Sequence, residues 1–178
     1  MKQIIFEITE NKLIAKNVYL MKLSGDSSDI KRPGQFVNIK LDGYFLRRPI
    51  SVCDYDTDSI TIIYKVVGSG TEAMSNMKKG DKLDILTGLG NGFDVSKSGS
   101  KPLLIGGGVG VPPMYNLAKK LISEGKDVSV ILGFNTAEEV FFEEEFKSLG
   151  AVVYVATADG SMGTKGFVTD VMKNLTYD

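Results

Sequence analysis

The chain contains no histidine and a single cysteine, Cys53, in 178 residues. Without an imidazole there is no histidine zinc ligand, no Ser-His-Asp triad and no histidine general base. One cysteine cannot close an internal disulfide, which fits a reducing cytoplasm. Nor can it hold an iron–sulfur cluster, which takes four Cys or mixed Cys/His ligands. No metal site is expected. The formal net charge is −1, so neither nucleic acid nor an anionic membrane is an expected partner. The first apolar run, Ile4-Ile5-Phe6, meets Glu7 at once and reads as neither signal peptide nor membrane span. Hard chemistry would therefore have to come from an organic cofactor.

What is present is an ordinary globular composition, 43% hydrophobic and 24% charged, long enough for one or two domains. Up to about residue 95 the apolar pattern has period two. Val37, Ile39 and Leu41 alternate with polar residues, as do Ile60, Ile62, Tyr64 and Val66. Runs near 2–9, 12–23, 34–41, 47–54, 59–66 and 82–86 predict six strands. Turn chemistry separates most of them, and one short helix is expected over 72–77. Short strands without long crossovers predict a closed antiparallel barrel over 1–97. From Lys101 the period changes. Strands at 103–105, 128–132 and 151–156 alternate with helices at 112–123, 136–148 and 167–175, Thr136 capping the second of these with Glu139 at the capping-box position. This predicts a doubly wound parallel sheet over 98–178, joined through the exposed linker 96–100.

Three glycine- or arginine-bearing segments point to nucleotide binding. In Arg47-Arg48-Pro49-Ile50-Ser51, Arg48 can hold a pyrophosphate bidentately. Pro49 fixes the backbone there. Ser51 offers a small donor to the edge of a flat ring and is the candidate catalytic residue. Gly68-Ser69-Gly70-Thr71 can bring bare amides to phosphate. The alternative is a strand with two surface arginines and an unrelated turn. The third segment runs from Gly106 to Pro113, between the first strand and first helix of the parallel sheet, where a dinucleotide pyrophosphate meets a helix N-terminus. It departs from the usual fingerprint by placing Val111 at the third glycine.

The order of Arg-Pro-Ile-Ser, Ile-Tyr-Lys, Gly-Ser-Gly-Thr, Leu-Gly-Asn-Gly-Phe and Gly-Gly-Gly-Val-Gly-Val-Pro-Pro resembles the ferredoxin reductase-like flavoproteins. Within them it is most similar to the electron-transfer subunits of type B dihydroorotate dehydrogenases. The resemblance implies a barrel that binds FAD, an α/β domain that receives NADH, and a cytoplasmic oxidoreductase serving pyrimidine biosynthesis. Its partner would be an FMN-containing dihydroorotate dehydrogenase catalytic subunit in a hetero-oligomer. Arg48, Pro49, Ile50 and Ser51 would line the pyrophosphate and isoalloxazine. Ile63, Tyr64 and Lys65 would flank the ribityl and adenosine portion, and Gly70 and Thr71 would bind phosphate. Gly107, Gly108, Gly110, Val111 and Pro112, with Gly133 and Asp159 at strand ends, would receive the nicotinamide nucleotide. Thr87-Gly88 stands where the resemblance leads one to expect Gly-Pro.

Relatives of this kind continue into further strands, a Cys-Gly-Pro turn and a tail of cysteines holding a two-iron two-sulfur cluster. The expectation is therefore a C-terminally incomplete second domain, impaired with nicotinamide, and a cluster only in a longer form of the protein. A sibling reductase feeding ferredoxin, a hydrogenase or a sulfur substrate, and a non-catalytic flavin-binding module, are the alternatives. Cys53, Met74 and Met77 read as packing residues. Tyr44 and Phe45 could stack on a ring or fill the barrel core. Between Lys126 and Lys147 there is no cation to receive a 2′-phosphate, so NADH is expected over NADPH.

Overall fold

The computed structural model describes all residues, Met1–Asp178. They form two compact units, Met1–Phe93 and Asp94–Asp178.

The first unit is a closed barrel of six antiparallel strands: β1 (Lys2–Ala15), β2 (Val18–Ser24), β3 (Phe36–Lys40), β4 (Arg48–Tyr55), β5 (Ser59–Lys65) and β6 (Lys82–Leu89). They pair in the order β1-β2-β5-β4-β3-β6. The alternation read from sequence explains the closure. Val37, Ile39, Ile60, Ile62 and Tyr64 point inward and are buried with Phe6, Ile8, Met21, Leu23 and Ile85. Closing the sheet also removes its exposed edges. Helix α1 (Ser69–Asn76) seals one end by inserting Met74, which is fully buried. Asn11 holds α1 there, its amide donating to the carbonyls of Met74 and Met77 at 2.9 Å each.

Three boundaries differ from expectation. The run 12–23 is not one strand: residues 12–15 complete β1, and the chain turns at Lys16-Asn17, where Asn17 adopts a left-handed φ of 58°. Helix α1 starts three residues early, because Thr71 caps it. The Thr71 hydroxyl accepts from the amides of Val67 (3.0 Å) and Gly68 (3.3 Å) and donates to the Gly68 carbonyl (3.0 Å). The last strand extends through Gly88, whose φ of +66° is closed to the proline expected there.

In the second unit β7 (Leu103–Gly107), β8 (Ser129–Phe134), β9 (Val152–Thr157) and a fourth, unanticipated strand β10 (Thr164–Lys165) form a parallel sheet in the order β10-β9-β8-β7. Helix α2 (Pro112–Ser123) begins at the two prolines, as expected. Helix α4 (Val168–Met172) covers one face, burying Val171 on Ile131 and Ala156. Helices α2 and α3 (Glu143–Ser148) form the crossovers from β7 to β8 and from β8 to β9, packing against β7 and β9 respectively. The segment after Asp94 is fastened to this unit: the Lys126 ammonium donates to the carbonyls of Val95 (3.4 Å) and Ser98 (2.9 Å). No helix is long and apolar enough to cross a membrane.

The helix expected over 136–148 does not form as one piece. A short 3-10 turn spans Ala137–Glu139, and α3 starts only at Glu143, after Phe142 in the left-handed region at φ 68°. The aromatic residues explain the break. Neighbours in a continuous helix diverge by about 100°, yet Phe141 and Phe142 are both buried. Phe141 meets Phe134 edge-on at 5.3 Å, while Phe142 and Phe146 close on Tyr115 at 5.2 and 5.4 Å. Burying both rings outweighs the left-handed strain of about 1–2 kcal/mol. The Thr136 hydroxyl is left buried without a partner, and Glu139 turns back to Asn135 instead of completing a cap. Helix α4 is also shorter than expected, with Phe167 at its N-cap.

Candidate functional site

The two motifs of the barrel meet in space. Arg48 opens β4 at the barrel end closed by α1, and its guanidinium rests against Gly70. A Cβ at Gly70 would lie 2.2 Å from Arg48 Nε. Gly70 is needed for the space it leaves, since its backbone is ordinary helix. Two contacts orient the arginine: its guanidinium carbon sits 5.0 Å from the Tyr44 ring centre, and its Nη1 donates to the Leu46 carbonyl. Tyr44 is itself held by its hydroxyl, which donates to the Ser69 carbonyl at 2.9 Å. Beside it the first amides of α1, Ser69 to Thr71, have no intrahelical acceptor. A fixed cation against a helix N-terminus is an anion cradle. The Thr71 hydroxyl is already engaged in capping, so Thr71 can offer an anion only its amide.

Arg47 has another task. Its guanidinium donates to the carbonyls of Asn38 (3.3 Å) and Asp84 (3.0 Å) and pairs with the Asp84 carboxylate at 3.0 Å. It ties β4 to β3 and β6, so the adjacent arginines divide into one that staples the barrel and one that rests against the N-terminus of α1.

Pairing sorts the rest of the segment. Ile50 lies opposite Val37 and packs on the core, whereas Pro49 and Ser51 lie opposite Asn38 and Phe36 on the outer face. Ser51 is half-buried there, with its hydroxyl unbonded within the chain. On β5, Ile63 and Lys65 alternate with Tyr64. Lys65 is half-buried, but Ile63 is buried, so, against expectation, its side chain does not reach a ligand outside the barrel. Nor does that of Tyr64, which is 1% exposed, stacks on Tyr19 at 5.8 Å and donates its hydroxyl to Asn11 at 3.0 Å. A ligand outside the barrel can meet Tyr64 only through its main chain, which corrects the expectation that its side chain would flank the cofactor. Burial also holds the Tyr64 phenol well above the usual tyrosine range. Cys53 is fully buried at a bulge of β4. Tyr44 packs on the core, and Phe45 stands wholly exposed.

In the second unit the glycine segment turns through a 3-10 element, Gly108–Gly110, with Gly108 at φ +50°. Gly106 supports the crossing, since a Cβ there would lie 2.8 Å from the Val111 α-carbon. At Gly107, Gly108 and Gly110 a Cβ would meet nothing closer than 3.8 Å, leaving that side of the loop open to a ligand. Val111 is fully buried, so the residue replacing the third glycine fills core. The helix N-terminus itself offers less than expected. Pro112 and Pro113 have no amide hydrogen, and the Val111 and Met114 amides bond to the carbonyls of Gly108 (3.1 Å) and Val111 (3.0 Å). The donors left for an anion are the amides of Gly108 and Val109, which open the 3-10 element and precede its first internal bond.

The carboxyl ends of β8 and β9 are knitted together. Glu139 accepts from the backbone amide (3.3 Å) and side chain (2.9 Å) of Asn135, an arrangement sequence spacing gave no sign of. Asp159 accepts from the Ser161 amide (2.9 Å) and hydroxyl (2.6 Å), and the same hydroxyl accepts from the Ala137 amide at 2.8 Å. The Ser161 donors hold the Asp159 carboxyl below the usual carboxylate range. Gly133 sits at the end of β8, where a Cβ would strike Val168 at 2.5 Å. Close packing, rather than a ligand, accounts for it.

The profile of the oxidoreductase NAD-binding domain matches residues 104–177. Among solved structures, the NADH-dependent reduced ferredoxin-NADP oxidoreductase superposes with a TM-score of 0.86 at 36% identity, over 96% of this chain and 62% of that one. The ferredoxin reductase in carbazole 1,9a-dioxygenase superposes at 0.84 over 97% of this chain and 56% of that one, and its 22% identity speaks to fold alone. Barrel, parallel sheet and glycine loop together are those of the ferredoxin reductase-like oxidoreductases. Two relatives narrow this further. The dihydroorotate dehydrogenase B (NAD(+)) electron transfer subunit of Fusobacterium nucleatum is 50% identical over 94% of this chain and 68% of its own length. That of Geobacillus is 47% identical over 97% and 70%. The chain belongs to the family of dihydroorotate dehydrogenase B electron transfer subunits.

Proposed function

We propose that this chain is the flavin- and nicotinamide-binding part of an electron-transfer subunit that passes electrons between NADH and a dihydroorotate dehydrogenase. The observation that carries the reading is the cradle of Arg48, Gly70 and the α1 amides. It supplies a charged fork and backbone donors together, more anion contact than a single terminal phosphate needs. That donor set fits the pyrophosphate of FAD. Bound there, FAD would supply acceptance of a hydride from NADH and release of the electrons to the partner.

The chain's own residues bind and orient. Arg48 neutralises the pyrophosphate while Tyr44 holds its guanidinium plane. Pro49 and Ser51, on the outer face of β4, lie along the flavin ring, and the Ser51 hydroxyl donates to its edge. Lys65, with the main chain of the buried Ile63 and Tyr64, runs beside the ribityl and adenosine portion. In the second unit the amides of Gly108 and Val109 receive the nicotinamide dinucleotide, while Gly107 and Pro112 keep the approach clear. Asp159 and Glu139 border the adenosine ribose. A two-iron two-sulfur cluster does not fit the residues present: Cys53 is the sole cysteine and is fully buried. No step is derived through one.

The partner in this reading is an FMN-containing catalytic subunit in a cytoplasmic hetero-oligomer of pyrimidine biosynthesis; what the relatives' name supports is a dihydroorotate dehydrogenase as that partner. Anaerobic titration of the flavin-loaded protein with NADH, followed by addition of a dihydroorotate dehydrogenase from the same source, tests it. NADH should bleach the flavin, slowly in this chain, and the dehydrogenase with orotate should restore its colour. Bleaching with no response to the dehydrogenase would leave a reductase with another acceptor. No bleaching would leave a flavin-binding module.

A further inference from the structure

Phe45 is 100% exposed, Leu46 is 67% exposed, and Val67, directly before the N-cap of α1, is 80% exposed. Lone exposed apolar residues are common. These three bracket a single charged site, because the Leu46 carbonyl accepts from the Arg48 guanidinium and Val67 adjoins the Gly68–Thr71 turn that contains Gly70. We propose that Phe45 is the platform on which the adenine of FAD stacks. The assignment rests on the reading of Arg48 as the pyrophosphate ligand.

Direction along the chain selects adenine over the flavin ring. Ser51 lies three residues into β4 from Arg48, on the outer face. Phe45 lies in the β3–β4 loop, beyond the start of the same strand and no more than about 11 Å of chain from Arg48. A dinucleotide whose pyrophosphate sits at Arg48 and whose flavin runs toward Ser51 leaves its adenosine on the Phe45 side. The loop is anchored on both flanks of Phe45, through the Tyr44 hydroxyl to Ser69 and through Leu46 to Arg48. The ring is therefore held out at modest entropic cost when a flat partner arrives. Every base presents a π-face to such a platform, and one stack is worth about 1–3 kcal/mol.

The test is flavin fluorescence titration of the deflavinated 178-residue protein with FAD and, separately, with FMN, which lacks the adenosine. Phe45→Ala should weaken FAD binding roughly tenfold and leave FMN binding unchanged, and Phe45→Tyr should restore FAD affinity. Since the side chain packs on nothing, the thermal melt of Phe45→Ala should match the parent. Unchanged FAD affinity in Phe45→Ala overturns the proposal alone, as does equal weakening of FAD and FMN. Failure of the unmodified protein to bind FAD overturns the Arg48 reading and this proposal with it.

Discussion

Arg48 and Gly70 occupy one another's space: the guanidinium fills the volume that any side chain at position 70 would need, with Nε 2.2 Å from where a Cβ would stand. The two residues are 22 apart in sequence and belong to different elements, a strand and a helix N-terminus. Their contact joins two weak sequence signals into one candidate site. It also gives a substitution whose effects on stability and binding oppose each other.

Gly70→Ala should weaken FAD binding tenfold or more while leaving the melting temperature equal or higher. Alanine in a helix is favoured over glycine by about 1 kcal/mol, so the helix gains as the arginine is displaced. Arg48→Ala should weaken FAD binding similarly, and the double variant should be little worse than either, because both remove the same contact. Isothermal titration with FAD, beside a thermal melt, measures this. Full additivity would show that the two residues act separately.

The neighbouring arginines should part company. Arg47→Ala removes a half-buried ion pair and two carbonyl contacts and should cost about 1–3 kcal/mol of stability, with FAD affinity unchanged in the folded fraction. Arg48→Ala should show the reverse. Urea denaturation of both variants, with flavin content measured on the folded protein, distinguishes them. Loss of FAD affinity in Arg47→Ala would contradict the division.

Nucleotide preference should follow Glu139. Asn135 fixes its carboxylate at the end of β8, and no lysine or arginine lies between Lys126 and Lys147. A 2′-phosphate there would meet negative charge without a cation. NADH should bleach the bound flavin faster than NADPH, and Glu139→Gln should narrow the gap a few-fold. Added salt should narrow it as well. Faster bleaching by NADPH would refute the charge argument.

Alkaline stability should depend on Tyr64. Burial raises the pKa of its phenol above the unfolded value near 10. The neutral phenol therefore contributes fully below pH 10, and that contribution is lost as pH rises from there toward the folded pKa. Tyr64→Phe should lose about 1 kcal/mol at neutral pH with its bond to Asn11. Its stability should then fall less between pH 10 and 11 than the parent's. Chemical denaturation at pH 7, 10 and 11 makes the comparison.

The sequence by itself determined the architecture, because burial in a sheet imposes a period of two and each crossover helix imposes its own. The alternation through Val37, Ile39, Ile60, Ile62 and Tyr64 specifies a barrel wall, and the change of period at Lys101 specifies a parallel sheet. Pro112-Pro113 marks the start of α2 in the sequence itself. Local patterns carry no information about which distant residue arrives alongside. Only the tertiary structure decided that Arg48 meets Gly70 while Arg47 meets Asp84, since strand register sends adjacent side chains to opposite faces. Only packing decided that two adjacent phenylalanines break a helix whose capping residues were all in place. There a nonlocal burial energy exceeded a local preference of about 1 kcal/mol.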